Sequence, residues 1–356
     1  MSLRNSNATT KIPKLLRDNL NNKRINKIYK KFEISLNLDE SFAVAVSGGP
    51  DSLALAFLSK IYAIKKNLKS KFYIIDHKLR PESTKEAKLV LNLLKKNFIK
   101  SEILTWKGKK PKKSIQSIAR TKRYEILFKK CNQLKIKDIL MGHHEDDLIE
   151  NFFIRLLRGS GIKGLTSLDI KTTIKKKNIL RPLIDIKKED LIFISKKVFN
   201  FYVEDPTNHD EKYQRVRVRK LMKNLERDGL DKNKLKKTIK NLKFANKVIE
   251  FYVDKNLREN TSFLNNKKRL VINSDFFLQP QEVIFRAFSE LLKLVGKKYY
   301  SVRGKKLEKI IREVENNRLN RATLGGCIIE KVNQSIIISK EPENLSLIHI
   351  SEPTRP

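Results

Sequence analysis

The sequence predicts an α/β domain, a parallel sheet with helices on both faces, followed by a mainly helical domain that ends in a β-hairpin. Short apolar segments alternate with longer segments of helical periodicity up to about residue 160. From about Lys212 this alternation stops and helical patterns dominate. The 356 residues also exceed the roughly 250–300 at which a single hydrophobic core stops growing. We therefore expect two domains that divide near residue 212.

The alternating part supplies four strands and four helices. Strands are expected at 42–46, 72–75, 102–106 and 139–142, and helices at 50–66, 81–97, 114–134 and 145–158. Strands joined by helical crossovers lie parallel, so their carboxyl ends share one edge of the sheet. Ligands of such folds bind beyond that edge, and we expect the functional residues to follow the strands.

The flanking parts are less regular. Residues 1–39 are polar and basic, and we expect a frayed arm or one short helix there. In the second domain, helices are expected at 245–258, 281–295 and 303–315, and hairpin strands at 327–331 and 335–339. Residues 347–356, LIHISEPTRP, resemble the translation of a sequencing adapter, so residues 345–356 are expected to be a non-native tail.

The charge of the chain points to a polyanionic partner. It contains 78 Lys and Arg against 39 Asp and Glu, a formal net charge of +39. An AT-rich coding sequence would favour lysine, but the same bias could also raise the numbers of Asp and Glu. It therefore does not readily explain a twofold surplus of basic residues. Residues 212–247 concentrate the excess, with fourteen basic residues against three acidic ones. This stretch is either a solvated helix surface or, as we expect, a nucleic-acid contact.

Other classes of protein are excluded by what the sequence lacks. No apolar run approaches the roughly 20 residues of a membrane span, and the N-terminus does not resemble a signal peptide. The two cysteines, Cys131 and Cys327, cannot form a disulfide framework, a four-thiolate zinc site or an iron–sulfur cluster. We therefore expect a cytoplasmic protein with no membrane partner.

The strongest local motif is Ser47-Gly48-Gly49-Pro50-Asp51-Ser52, between the first strand and the first helix of the sheet domain. Glycines let the backbone approach a ligand, and the N–H groups of a turn and a helix N-terminus bind anions. A Walker loop has a lysine where Asp51 stands, and a carboxylate fits beside a phosphate when Mg²⁺ lies between them. The alternative is an ordinary glycine turn that caps a helix. The motif resembles the loop of enzymes that split ATP into AMP and diphosphate.

A second motif, Gly142-His143-His144-Glu145-Asp146-Asp147-Leu148-Ile149-Glu150-Asn151, follows the fourth strand. Glu150 lies three residues after Asp147 and four after Asp146, so these acids can share one helix face. Clustered carboxylates are unfavourable unless a cation or a proton relieves them, and their hard oxygens suit Mg²⁺. Interaction with the helix dipole would explain the first three acids without a function, but it does not explain Glu150.

Taken in order, these motifs resemble the tRNA(Ile)-lysidine synthetase family of PP-loop ATPases. The resemblance also includes DHKLRPES at 76–83, SIAR at 117–120 with Arg123 and Tyr124, RGSG at 158–161, RPL at 181–183 and EDPTN at 204–208. One departure is at 215–219, RVRVR, where family members often have Arg-Asn followed by Ile or Leu and Arg. Which of these arginines contacts tRNA is therefore open.

The resemblance implies an adenine nucleotide alpha hydrolase-like fold and the ligation of L-lysine to C2 of the wobble cytidine of tRNA(Ile) with a CAU anticodon. ATP would first adenylate the cytosine oxygen, and lysine would then displace AMP. It also implies an ATP-binding catalytic domain at 40–211 and a tRNA-binding domain at 212–344. Nothing in the sequence sets the oligomeric state, and a homodimer is compatible with it.

The resemblance also implies roles for individual residues. The loop Ser47, Gly48, Gly49, Pro50, Asp51 and Ser52 would cradle the ATP phosphates, and His77 and Gly142 would line the nucleotide pocket. Asp51 and Asp147, with Glu150 as a third candidate, would hold Mg²⁺ or orient the lysine ammonium. Either Glu150 or Asp147 would receive a proton from it. Arg120 and Arg123 would stabilise phosphate charge or the transferring adenylate.

Two other functions compete with this one. A PP-loop tRNA sulfurtransferase would adenylate a base in the same way, but it generally needs a cysteine pair or Cys-x-x-Cys ligands, and Cys131 and Cys327 are far apart in sequence. A non-catalytic RNA-binding protein with a vestigial loop would not need Asp51 together with the acids after the fourth strand. Both alternatives are therefore disfavoured.

Overall fold

The computed structural model describes residues 12–79, 81–108, 115–203, 210–264, 269–297 and 304–342, with the side chains of 115–117 excepted. The EDPTN motif at 204–208, Arg80 and the expected tail at 345–356 lie outside these residues. The chain forms two compact units, Met1–Ile239 and Lys240–Pro356.

The first unit contains a six-stranded sheet in the order β3-β2-β1-β4-β6-β5. Its strands are β1 Phe42–Val46, β2 Ser70–Asp76, β3 Ser101–Thr105, β4 Asp138–Leu140, β5 Lys171–Ile174 and β6 Lys177–Leu180. Its helices are α1 Lys14–Leu20, α2 Lys23–Ile34, α3 Pro50–Lys65, α4 Ser83–Lys96, α5 Ile115–Gln133, α6 Glu145–Leu156, α7 Ile162–Leu165, α8 Lys188–Phe199 and α9 Gln214–Arg227.

The parallel sheet predicted from the sequence is confirmed. β1 pairs in parallel with β2 and β4, β2 with β3, and β4 with β6, while only β5 runs antiparallel within this sheet as described. β1 is an apolar strand at the centre of the sheet, and α3 is apolar on all sides because it is buried between β1 and α8. The carboxyl ends of β1, β2 and β4 therefore meet at one edge.

The N-terminal segment differs from the expected basic arm at 1–39. Its described part folds into α1 and α2, and Ile25, Ile28, Tyr29 and Phe32 are buried in the main core of the unit. These apolar residues recur every three or four positions, and the intervening lysines face solvent. Packing of this apolar stripe, rather than the basic composition, determines the structure of the segment.

The second unit packs helices against an antiparallel sheet. Its elements are the C-terminal part of α10 Lys232–Asn260, β7 Thr261–Leu264, β8 Arg269–Ile272, a 3-10 helix Ser274–Leu278, α11 Gln281–Val295, α12 Gly304–Glu315, β9 Arg321–Leu324, β10 Cys327–Val332 and β11 Ser335–Lys340. The predicted hairpin is confirmed as β10 and β11, which are the centre of a five-stranded sheet, β7-β8-β11-β10-β9. The three other strands have four residues each, too few to show a clear period of two.

Helix α9 belongs to the first unit. Val218 and Met222 on α9 are buried against Ile149 on α6. The two compact units divide inside α10, after Ile239, and the functional division at residue 212 stays a prediction. None of the helices in the described residues is long and apolar enough to span a membrane.

Candidate active site

The loop after β1 is organised by one hydroxyl group. Ser52 Oγ accepts hydrogen bonds from the backbone N–H groups of Ser47 and Gly48, at 3.1 and 3.0 Å, and donates to the carbonyl of Gly49 at 2.9 Å. Gly49 is the N-cap of α3 and Pro50 begins the helix, a position where a missing N–H costs nothing. The loop is therefore rigid before any ligand binds, and the N-terminus of α3 lies at the sheet edge.

Two glycines allow the surrounding chain to approach this loop closely. Gly48 has a φ of +90°, and a Cβ atom there would lie 2.5 Å from a methyl carbon of Val90. A Cβ atom at Gly142, after β4, would lie 3.3 Å from backbone atoms of Asp51 and Ser52. Gly142 thus lets the segment after β4 pack directly against the start of α3.

His144 joins the loop to the second motif. It is the buried N-cap of α6, where its Nδ1 accepts from the N–H of Asp146 and its own N–H donates to Asp147 Oδ2 at 3.0 Å. Because Nδ1 is an acceptor, the neutral imidazole carries its proton on Nε2. That Nε2 lies 3.6 Å from Asp51 Oδ2 and 3.6 Å from Asp147 Oδ2, so one imidazole bridges the two carboxylates.

Asp147 and Glu150 face α9, as their spacing predicts. Arg215 approaches both acids, with its guanidinium 3.6 Å from Asp147 Oδ1 and 3.9 Å from Glu150 Oε2. Arg219 Nε donates to Glu150 Oε1 at 2.6 Å. Glu150 is only 1% exposed, and its Oε2 has no hydrogen-bond partner in the described structure. This buried oxygen therefore has an acceptor position that no described residue uses.

The neighbouring acids of α6 have other partners. Glu145 pairs with Lys236 at 3.0 Å, and Asp146 pairs with Lys232 at 3.4 Å. Asp146 thus has a partner on α10, whereas Asp147 and Glu150 have partners on α9. Cations on α9 and on the first turns of α10 neutralise all of the acids on α6.

The three central carboxyls differ in their electrostatics. Burial raises the pKa of Asp51, although the charge of Lys188 opposes this. Burial likewise raises the pKa of Glu150 above its usual value, against the opposing hydrogen bond and charge of Arg219. Burial alone would raise the pKa of Asp147 too, but the charge of Arg215 and the hydrogen bond from the N–H of His144 hold it below its usual value. Asp147 is thus the most firmly ionised of the three.

The carboxyl end of β2 forms a second part of the site. Asp76 accepts from the N–H of Lys78 and from the hydroxyls of Ser83 and Thr84, which fixes the turn that leads into α4. His77 follows, and its Nε2 accepts from Arg123 on α5 at 3.3 Å. Burial, with the nearby charge of Arg123, lowers the pKa of His77 to about 4. His77 is therefore neutral, and its Nδ1 is buried without a hydrogen-bond partner.

Arg120 lies one helical turn before Tyr124, with its guanidinium 5.8 Å from the centre of that ring. It is exposed, and its charge reaches His143, whose pKa falls to about 3 mainly through burial. Arg181 is buried nearby and donates to the carbonyl of Asp169 and the hydroxyl of Thr172, both at 2.8 Å. His143 is therefore neutral, and the charges acting on it come from Asp147 as well as from Arg181 and Arg120.

The structure brings most of the predicted residues together at the sheet edge. Gly142 contacts the loop, Asp51 and Asp147 share His144, and Arg215 links Asp147 to Glu150. Arg123 and His77 form a separate pair. Sequence reasoning missed His144 as a bridging residue, and its place directly after β4 and before the acids of α6 was the available signal.

The donors fit a magnesium ion. Mg²⁺ is typically held by one or two carboxylates together with substrate phosphates and water. Asp51 Oδ1 is buried without a hydrogen-bond partner, and Asp147 is the neighbouring carboxylate across His144. Among the described residues, no group of three or more His, Cys, Asp or Glu side chains could hold a metal. The protein would thus supply two oxygen ligands at most.

Comparisons with known proteins agree with this geometry. A family model described as a PP-loop domain matches residues 18–225. The tRNA(Ile)-lysidine synthase of Wolbachia pipientis wMel is 32% identical over 314 residues, which cover 87% of this chain and 73% of that protein. The enzyme of the same name from Orientia tsutsugamushi (strain Boryong) is 35% identical over 311 residues, or 84% of this chain and 69% of that protein.

A solved structure supports the fold alone. The U34-tRNA thiolase NcsA from Methanococcus maripaludis, solved with its [4Fe-4S] cluster, is 18% identical with a TM-score of 0.54. The match covers 62% of this chain and 78% of that chain. The resemblance confirms the PP-loop type of sheet predicted from the sequence.

Proposed function

Because this chain belongs to the tRNA(Ile)-lysidine synthase family, we propose that it ligates L-lysine to the wobble cytidine of tRNA(Ile) with a CAU anticodon. The O2 atom of cytosine attacks the α-phosphorus of ATP, and diphosphate leaves. The ε-amine of lysine then attacks C2, a C–N bond forms, and AMP leaves with the oxygen. The observation that carries the proposal is the carboxylate pair Asp51 and Asp147, bridged by His144 beside the loop after β1.

The loop and the N-terminus of α3 are proposed to bind the phosphates of ATP. The hydroxyl of Ser52 already holds the N–H groups of Ser47 and Gly48, so the anion would meet the remaining N–H groups at the start of α3. Mg²⁺, held by Asp51 and Asp147, would neutralise phosphate charge. These two residues orient the phosphates, and His144 keeps both carboxylates in place.

Glu150 is proposed to receive the proton of the attacking amine. Lysine attacks only as the neutral amine, so an acceptor must take its proton. Burial raises the pKa of Glu150, whereas Asp147 is held ionised, so Glu150 suits proton transfer and Asp147 suits cation binding. The Oε2 atom of Glu150, which lies 3.9 Å from Arg215 and accepts no hydrogen bond among the described residues, is the atom proposed for this step.

The nucleoside of ATP is proposed to lie against the carboxyl end of β2. His77 is neutral, and because its Nε2 accepts from Arg123, its proton lies on the unpartnered Nδ1. That N–H can donate to a ring nitrogen or a ribose oxygen. Arg120 and Arg123 are exposed cations on α5 and would stabilise the adenylate as it is transferred.

The basic segment at 212–247 is proposed to hold the tRNA backbone. Of the three arginines in RVRVR, Arg215 and Arg219 pair with the acids of α6, and Arg217 donates to the carbonyls of Glu211 and Lys212. We therefore assign Arg215 and Arg219 to the active site. The other cations of this segment are therefore the proposed contacts with tRNA. Binding of this kind weakens steeply as the salt concentration rises.

Sulfur transfer is disfavoured by the chemistry of the cysteines. Cys131 and Cys327 are both buried, and burial raises the pKa of the Cys131 thiol to about 11. A buried, protonated thiol is neither a nucleophile nor a ligand for a cluster. The cytoplasm stays the predicted compartment, since two separate cysteines are compatible with a reducing environment. The homodimer stays a prediction.

The test is incorporation of labelled lysine into a tRNA(Ile) transcript with a CAU anticodon, in the presence of ATP and Mg²⁺. We expect one lysine per tRNA and one AMP and one diphosphate per lysine. A transcript with cytosine 34 replaced by uridine is the matched control and should accept none. Sulfur incorporation from a persulfide donor without lysine incorporation would overturn the assignment.

A further inference from the structure

Helix α10 has an exposed apolar face within the second unit. We call Phe244, Val248, Phe251 and Tyr252 the α10 stripe; they are 52%, 57%, 60% and 46% exposed. The first three recur at intervals of four and three residues, so they lie on one side of the helix. Val253 and Asn256, on another side, are buried in the second unit. The stripe is thus a second apolar face, separate from the one that packs into the core.

Cations flank the rings of the α10 stripe. Lys240 precedes Phe244 by one helical turn, and its Nζ lies 5.7 Å from the centre of that ring. Lys247 and Lys255 lie one turn before and one turn after Phe251, and both are exposed. Residues 240–258 contain five basic side chains and two acidic ones. The face is therefore aromatic and carries a net positive charge, although Glu250 and Asp254 also lie beside Phe251.

The rings are held in a defined arrangement. Phe251 and Tyr252 pack edge to face, with ring centres 5.5 Å apart and an angle of 83° between their planes. Such a contact favours one arrangement of the two rings. The exposed face of Phe251 is available for a planar partner to stack on.

We propose that the α10 stripe is an RNA-binding surface on which unpaired nucleotides of the substrate tRNA stack, while the flanking cations bind phosphates. Aromatic rings interleaved with Lys and Arg are the chemistry that binds single-stranded nucleic acid. A second copy of this chain would bring a face of the same net positive charge, so like charges would meet and repel. The inference rests on the proposed function, because it takes the tRNA substrate from there.

The first test removes the rings and keeps the apolar helix face. The double variant Phe244→Leu, Phe251→Leu should weaken tRNA binding by roughly tenfold or more in a filter-binding assay. The slope of log Kd against log salt should not change, because no phosphate contact is lost. Phe263→Leu on β7 is the matched control, 49% exposed and outside the stripe, and should bind like the wild type.

The second test removes one cation and keeps the rings. Lys255→Gln should lower the salt slope by about 0.7–0.9, the contribution of one phosphate contact. Photo-crosslinking of a tRNA that contains 4-thiouridine should label the peptide with Phe251 and Tyr252. An unchanged Kd and slope in the variants, or crosslinks confined to the first unit, would overturn the proposal.

Sedimentation of the wild type and the double variant tests whether a second copy of this chain, rather than RNA, covers the α10 stripe. A wild-type dimer that becomes a monomer with unchanged tRNA affinity would assign the stripe to an interface between copies and reject the RNA proposal. Lysine incorporation distinguishes a failure of the α10 stripe proposal from a failure of the proposed function. If the double variant incorporates lysine with an unchanged KM for tRNA, the proposal for the α10 stripe is rejected and the proposed function stands. If tRNA binding depends on the stripe but the wild type incorporates no lysine, the lysine chemistry is rejected and the proposal for the stripe stands.

Discussion

The acidic face of α6 and the stripe of α10 are opposite solutions to placing functional residues on a helix. On α6, Asp147 and Glu150 are buried, and each lies within 4 Å of an arginine from α9. On α10, Phe244 and Phe251 are more than half exposed and are flanked by lysines. Acids in a basic chain are thus enclosed by counter-charges, whereas the rings face solvent.

The difference follows from what each region must do. A carboxylate that handles a proton or a metal ion needs a low-dielectric position and a fixed geometry, and burial supplies both. A surface that binds a large polyanion needs access and positive charge, and its affinity comes from many weak contacts. Changes on α6 should therefore affect turnover and folding, and changes on α10 should affect tRNA affinity.

The largest effect is expected for Asp147→Asn. The amide keeps the shape but removes the charge that faces His144 and Arg215, so kcat should fall by about a hundredfold or more, with little change in tRNA affinity. Steady-state lysine incorporation measures kcat, and filter binding measures affinity. Asp146→Asn is the matched control on the same helix, and it should lose less than threefold. A loss of tRNA binding by Asp147→Asn would instead make this acid structural.

The next effect concerns stability. Arg219→Met leaves Glu150 buried with only the longer contact to Arg215, so we expect a loss of about 2 kcal/mol in the free energy of unfolding. Arg24→Met breaks a pair with Asp190 of similar length, but that pair is exposed, and it should cost under about 1 kcal/mol. Urea denaturation measures both. Equal losses of unfolding free energy in the two variants would show that burial does not make the Arg219–Glu150 pair more stabilising than the exposed Arg24–Asp190 pair.

A smaller effect should separate packing from backbone strain. Gly48 and Gly229 have φ values of +90° and +98°, but only at Gly48 would a Cβ atom meet another side chain. Gly48→Ala should therefore destabilise by about 1 kcal/mol more than Gly229→Ala, whose cost is the strain alone. Thermal unfolding of the two variants gives the comparison. Equal shifts would mean that the loop relaxes away from Val90.

A further effect is a pH dependence of stability. The pKa of His77 is about 4 in the folded chain, against about 6.5 for a free imidazole. Between these values only the unfolded chain binds the proton, so stability falls as the pH is lowered from about 6.5 towards 4. His77→Gln should reduce the loss measured by urea denaturation between pH 7 and 5. The described part of the second unit contains no histidine and adds nothing to this term. An unchanged loss would contradict a neutral His77.

The elements of the sheet could be predicted from the sequence because β1 to β4 are short apolar segments separated by periodic helices. The N-terminal helices could not, since the composition of the segment hid the spacing of Ile25, Ile28, Tyr29 and Phe32. Lysines on the solvent side dominate the composition, but they do not oppose packing of the other side. The short strands β7, β8 and β9 are defined by their pairing rather than by their own pattern.

The candidate site could also be predicted only in part. The motifs and their positions after β1 and β4 identify Asp51, Asp147 and Glu150, since parallel strands bring their carboxyl ends together. The partners of these acids depend on how α9 folds onto α6, which the spacing within RVRVR does not reveal. Likewise, the bridge through His144 exists only because Gly142 allows the close approach of two segments that are distant in sequence.

The most direct test of the account is lysine incorporation at varied tRNA concentration by three proteins: the wild type, Asp147→Asn, and the double variant Phe244→Leu, Phe251→Leu. We expect the acid variant to lower kcat with an unchanged KM for tRNA. The double variant should raise that KM by about tenfold with an unchanged kcat. A raised KM in Asp147→Asn, or a lowered kcat with normal KM in the double variant, would contradict the separation of chemistry on α6 from binding on α10.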